Sequence, residues 1–164
     1  MAGLIPADAF AIGVGAFFGA LSRYQAGRMA AEWIATDPNR LGKLSGWHTA
    51  GINIGGSFLL GGITASPIVT SKPPTTTPRP VMKHLKPMPP MLSELSQGLS
   101  PRTKLMLGVG FCGSFTTFST YSVDVVHWLC EGKTSRALSY AATNNVGGFV
   151  AAAAGMVLAK KFFG

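Results

Sequence analysis

The chain has 164 residues, 47% of them hydrophobic and only 12% charged, with 21 glycines and a formal net charge of +8. In a soluble chain that charge would suggest a nucleic-acid partner. Here the cations sit in loops and at the ends of long uncharged stretches rather than along an aromatic-bearing groove, which argues against nucleic acid and for anionic lipid head groups as the neighbours of the basic flanks.

A helix that spans a membrane needs roughly 20 mainly apolar residues. Four stretches meet that requirement, residues 7–27, 47–65, 105–130 and 137–159. The expected fold is therefore all-α, an integral membrane four-helix unit. Residues 1–65 hold the first two spans, 66–101 a Pro-rich loop and 102–164 the last two spans, making one membrane domain overall. Four helices alone are too thin to enclose a transport path, so an oligomer is expected. Residues 1–8 carry no basic segment before the apolar run and no small-residue cleavage pattern, and read as the start of the first helix.

The first span contains Gly13, Gly15 and Gly19, then Arg23-Tyr24. An arginine there either snorkels to the interface or guards an anionic vestibule. The second span places Asn53 among Gly51, Gly55, Gly56, Gly61 and Gly62. A buried amide of this kind either links helices or donates to a passing anion, and the residues leave both readings open. Its neighbour His48, like His127 further on, adjoins a tryptophan near a span end, the pattern of interfacial anchoring.

Residues 66–101 hold nine of the eleven prolines, with Ser, Thr and Lys between them, and are expected to form an extended tether with no packed element. A short amphipathic turn at 91–99 is a further expectation. The links 36–46 and 131–136 are short, which makes successive helices antiparallel neighbours. Basic residues lean toward the face shared by both termini and the long loop, favouring a cytoplasmic amino terminus.

The third span is the most informative. Gly108, Gly110 and Gly113 lead into Gly113-Ser114-Phe115-Thr116-Thr117-Phe118-Ser119-Thr120-Tyr121-Ser122, hydroxyls interleaved with rings. Lipid offers hydroxyls no partner, so the run is expected to face something polar. Glycines lower the cost of leaving the helix, and a break there would free N–H and C=O groups for an ion; the alternative is that hydroxyls bond back to their own helix and the glycines let helices approach closely. Phe115, Phe118 and Tyr121 recur every three residues and thus share one helix face, forming a column whose ring edges suit an anion or whose rings simply pack. Cys112 and Cys130 lie about five turns apart and read as free buried thiols. No Asp or Glu falls in the middle of a span, which argues against a small multidrug or cation exporter. No nucleophile and base adjoin as an enzyme requires, and no phosphate-binding loop suggests ATP-driven transport.

Three segments resemble, in order and spacing, the signatures of the CrcB/Fluc fluoride channels: Gly15-Ala16-Phe17-Phe18-Gly19-Ala20-Leu21-Ser22-Arg23-Tyr24, Asn53-Ile54-Gly55-Gly56-Ser57-Phe58-Leu59-Leu60-Gly61 and Gly110-Phe111-Cys112-Gly113-Ser114-Phe115-Thr116-Thr117-Phe118-Ser119-Thr120-Tyr121-Ser122. The resemblance covers all four spans. It implies passive, fluoride-selective export by an antiparallel, dual-topology dimer, built from two copies of the chain or from the chain and an oppositely oriented homologue. It also implies a third helix broken at mid-membrane, with a structural sodium ion at the dimer interface held by backbone carbonyls at Gly113 and Thr116. The same resemblance places Asn53, Phe118, Tyr121, Ser119, Thr120, Tyr140 and Asn144 on the fluoride path and Arg23 in the vestibule. Tyr121 stands where the family pattern has a second phenylalanine, Asn144 where many members carry Ser, and the Pro-rich insertion is foreign to the short bacterial pattern.

Overall fold

The structure, a computed structural model, describes residues 3, 5–68 and 98–163. The Pro-rich tether and most of the expected amphipathic turn at 91–99 therefore lie outside the described residues. Those described are almost wholly helical, and they include no strand beyond one isolated bridge between Ile68 and Leu99.

Helix α1 (Pro6–Thr36) begins with proline in its first turn, where the missing N–H is no loss, and ends before Pro38, which cannot continue it. A single turn, α2 (Pro38–Leu41), is capped by Asp37, whose Oδ1 accepts from the Arg40 N–H at 3.2 Å. After a 3-10 turn, Gly46 adopts φ +85°, a left-handed conformation that starts α3 (Trp47–Ala65). The chain resumes with Ser100 capping the one-turn α4 (Pro101–Lys104), runs as a π-helix through Leu105–Cys112, and makes one further turn, α5 (Gly113–Phe115). Thr116 and Thr117 are extended. Helix α6 (Phe118–Cys130) then starts, capped by Thr117, and left-handed Gly132 separates it from α7 (Thr134–Phe163).

Two glycine-lined seams set the packing. Along α1, a Cβ at Gly15 or Gly19 would fall on the backbone of Met106 or Phe111, and one at Gly110 would fall on Ile12 and Gly15, so the π-helix lies directly on α1. Likewise Gly61 meets Ala152 and Gly155 meets Phe58, which brings α3 and α7 into backbone contact. Small residues that let backbones approach are the usual basis of helix association in lipid. Between the seams, the buried cluster of Ala50, Trp128, Ala137 and Tyr140 ties α3, α6 and α7 together.

Trp128 differs from its expected role as an interfacial anchor. It is only 6% exposed, packs edge-on to Tyr140 at 4.8 Å and carries the Arg136 guanidinium over its ring. Cys112 is buried as expected, whereas Cys130 is exposed.

The outer surface is apolar. Phe10, Phe17, Phe18, Val123, Phe149 and Val157 are all more than half exposed. Among the described residues one helix, α7, is long and apolar enough by length and composition to cross a membrane. Asn53, His48 and many glycines dilute α3, charges dilute α1, and the interruption at Thr116 divides the third stretch. Both α1 and α7 exceed the expected spans; at 1.5 Å per residue, 30 residues reach ~45 Å, beyond a hydrocarbon core of about 30 Å.

Candidate functional site

The interruption of the third stretch is organised by Asn53. Its Oδ1 accepts the Thr117 N–H at 2.8 Å and its Nδ2 donates to the Thr117 carbonyl at 3.1 Å, so one side chain from α3 satisfies both backbone polar groups of a residue that has left the helix. Thr117 is buried, where an unpaired backbone group is costly, and the pairing explains why the chain can leave helical geometry here. The same Nδ2 donates its second hydrogen to Asn144 Oδ1 on α7 at 3.0 Å.

The two threonines then divide the work. Thr116 ends α5, its N–H and its hydroxyl both bonding the Cys112 carbonyl. Thr117 starts α6, its Oγ1 accepting the Thr120 N–H at 3.2 Å and lying within 3.0 Å of the Thr120 hydroxyl and 3.2 Å of that of Ser119. Arg23 reaches from α1 to the Thr116 carbonyl at 3.4 Å, a long bond from a half-buried guanidinium.

Beside the break lies a cleft of about 230 Å³ bounded by Asn53, Ser57, Thr117, Phe118, Tyr121 and Asn144. Beside it runs a file of rings. Phe118 lies 5.6 Å from Tyr121, and Tyr121 lies 5.7 Å from Tyr140. Phe115 is absent from this file, contrary to the three-residue spacing. The break at Thr116 and Thr117 rotates it away, and it stacks on Phe111 at 5.5 Å instead. Phe118 is 78% exposed, a ring that the single chain leaves uncovered.

Of the residues singled out in the sequence, Asn53, Thr116, Phe118, Tyr121 and Asn144 meet at the cleft. Ser119 and Thr120 occupy the exposed first turn of α6, Tyr140 is buried behind the rings, Arg23 touches the break from α1, and Gly113 is exposed on α5. Three further residues belong to the arrangement. Asn145 Nδ2 donates to the Tyr121 hydroxyl at 3.1 Å, Asp124 accepts from the Tyr140 hydroxyl at 3.0 Å, and Ser57 lines the cleft. The sequence signal for Asn145 was its place next to Asn144: successive residues lie about 100° apart on a helix, so one amide faces α3 and the next faces α6. Asp124 had no such signal, because a count of residues places it toward a span end, whereas the break makes it mid-helix in α6.

Several donors at the cleft have no acceptor. Among the described residues nothing accepts from the Ser57 hydroxyl, the Tyr121 hydroxyl proton, or the Phe118 and Ser119 N–H groups that open α6. A helix N-terminus and free hydroxyls favour an anion. Cation ligands of the carboxylate or thiolate kind are not grouped here, and no set of three His, Cys, Asp or Glu side chains clusters among the described residues.

Comparison with known proteins fits this arrangement. The family model described as CrcB-like protein, Camphor Resistance (CrcB), matches residues 10–156. The fluoride-specific ion channel FluC of Chlorobium chlorochromatii is 30% identical over 149 residues, covering 91% of this chain and 89% of that one. FluC of Gloeobacter violaceus is 29% identical over 147 residues, covering 90% and 91%. FluC 2 of Moorella thermoacetica is 29% identical over 153 residues, covering 93% and 96%. The matched region takes in most of α1, the broken third stretch, the cleft and most of α7, and the chain belongs to the CrcB family.

Proposed function

We propose that the chain is a passive, fluoride-selective channel of a cell membrane, crossing the bilayer four times and acting as an antiparallel dimer with a second copy or an oppositely oriented homologue. The observation that carries this reading is the donor-rich cleft at the helix break, where hydroxyls, amides and ring edges converge without a carboxylate on its lining. Fluoride binds water strongly, so it leaves water only where many donors replace the hydration shell. Graded sites of modest strength then let it move on. The apolar exterior supports lipid as the surrounding medium, and the uncovered Phe118 ring supports a partner subunit against this face.

In this reading fluoride passes Asn53, Phe118, Tyr121, Ser119, Thr120, Tyr140 and Asn144, and Arg23 draws anions toward the vestibule. The break lies at mid-membrane, where irregular backbone is tolerated against protein or a polar cavity.

A structural sodium ion at the dimer interface, held by the Gly113 and Thr116 carbonyls, is part of the proposal, and the donor set fits it. In an unbroken helix the Thr117 and Thr120 N–H groups would bond those two carbonyls. Here they bond Asn53 Oδ1 and Thr117 Oγ1 instead, which leaves two hard oxygen ligands without helical partners, the kind a hard cation takes. Thr116 also accepts the long bond from Arg23, so a sodium ion would share that oxygen with a guanidinium. When bound, the ion would fix the broken backbone of both subunits.

The test is fluoride efflux from liposomes that contain the purified chain and no other energy source, followed with a fluoride electrode. Release that runs down the gradient supports the reading, and a well-folded dimer that releases none overturns it.

A further inference from the structure

The backbone of Thr117 dictates how two side-chain amides are oriented. Its N–H can only donate and its carbonyl can only accept, so Asn53 must turn Oδ1 to the first, at 2.8 Å, and Nδ2 to the second, at 3.1 Å. The remaining Asn53 hydrogen points to Asn144, which can meet it only with an oxygen, and does so at 3.0 Å. Both hydrogens of the Asn53 amide are therefore engaged, and the amide has no donor left for an incoming anion.

The two engagements differ in kind. The pair with Thr117 is reciprocal and one partner is backbone, fixed by the helices on either side. The bond from Asn53 to Asn144 ends on a side chain that can rotate. Beyond that bond, Asn144 is held through its own Nδ2, which reaches the Tyr140 carbonyl at 3.3 Å, beyond the usual range for such bonds, and lies beside the Tyr140 hydroxyl. The cleft of about 230 Å³ lies against both amides, so room adjoins the bond.

We infer that Asn144 is a displaceable stand-in for the anion: its Oδ1 occupies the one Asn53 hydrogen that a passing fluoride could take, and Asn144 thereby sets the fluoride concentration needed for conduction. This rests on the proposed channel reading. Fluoride takes the Asn53 hydrogen as Asn144 swings aside, and when the ion moves on the Asn144 oxygen returns, so the buried donor is never left bare. The apparent affinity is weakened by the fraction of time that the stand-in is in place. Asn144 is a specificity-determining residue acting through Asn53, and only an acceptor as strong as fluoride displaces an amide oxygen readily.

The test compares the full chain with Asn144→Ala and Asn144→Asp in liposomes, measuring flux across a range of fluoride concentrations. Removing the oxygen in Asn144→Ala should lower the half-saturating fluoride concentration about fivefold, the worth of one ordinary hydrogen bond. Asn144→Asp, which leaves a charged acceptor in place, should raise it. An unchanged or raised value for Asn144→Ala while the native chain conducts overturns the inference and leaves the channel reading intact. A native chain that carries no fluoride overturns the channel reading instead. A second readout is the side-chain amide ¹⁵N resonance of Asn53 in detergent-solubilised full chain, titrated with sodium fluoride. The resonance should move at lower fluoride in Asn144→Ala than in the native chain, and equal midpoints would overturn the inference whatever the fluxes are.

Discussion

Asn53 pairs with both backbone polar groups of Thr117, and that one pairing joins the second apolar stretch of the chain to the break in the third. It also couples stability to the site, because the residue that holds the break together lines the cleft beside it.

Asn53→Ala should therefore damage the fold as well as the flux. It leaves the buried Thr117 N–H and carbonyl without their partner, at about 1–3 kcal/mol for each unsatisfied group. Thermal unfolding of the detergent-solubilised chain should show the loss. Asn53→Asp removes the same donors and adds a negative charge beside the proposed anion route, where two like charges roughly 4 Å apart repel by about 4 kcal/mol at an effective dielectric of about 20. Fluoride flux should fall sharply. Full flux through an assembled Asn53→Asp protein would confine Asn53 to a helix-linking role.

The ring file gives a contrast within one turn of α6. Phe118→Ala removes a largely exposed ring from the mouth of the cleft and should strongly reduce flux with little effect on monomer stability. Tyr121→Phe keeps the ring and loses its bond from Asn145, worth about 1 kcal/mol, together with one of several free donors at the cleft, so flux should survive. Parallel efflux traces for the two variants check this, and equal loss in both would give the Tyr121 hydroxyl a direct part in carrying the ion.

Much of this was legible in the sequence because it depended on residue type and short spacing. The four apolar stretches, the glycines and the hydroxyl run predict helices, close seams and a polar element within an apolar chain, and the structure places Asn53, Phe118, Tyr121 and Asn144 around one cleft. What was not legible depended on the break itself. Spacing assumes a continuous helix, so it assigned Phe115 to the ring file and Asp124 to a span end, whereas two extended residues at Thr116 and Thr117 reset the phase between them. Trp128 was misassigned for a related reason: its burial depends on Tyr140 from another helix, which no local pattern records.

The glycine seams yield a paired prediction. At Gly15 a side chain would strike the Met106 carbonyl, so Gly15→Ala should destabilise the α1 seam by about 1–3 kcal/mol, the usual cost of overpacking. Gly13, two residues away on the same helix, has open space where its Cβ would be. Gly13→Ala should be neutral or stabilising by up to about 1 kcal/mol through helix propensity. Melting temperatures of the two variants test the seam, and similar values would argue against it.

The Pro-rich loop should be dispensable. The described ends of the loop are held in place, with the Leu99 N–H bonded to the Pro67 carbonyl and the Lys104 ammonium to the Ser66 carbonyl, so the two helices are joined without it. Replacing residues 69–97 with a short Gly/Ser link changes mainly a loop-closure entropy that varies slowly with length. Fluoride efflux should be unaltered. An assembled, loop-shortened protein that fails to conduct would give the loop a functional part.

The most direct test of the central claim is a comparison of fluoride and chloride release from liposomes holding the native chain. Both ions carry one negative charge, but fluoride is the smaller and the stronger hydrogen-bond acceptor, so a cleft of hydroxyl and amide donors should separate them. The account predicts rapid fluoride release with chloride retained. Comparable release of both ions from the same vesicles would contradict it.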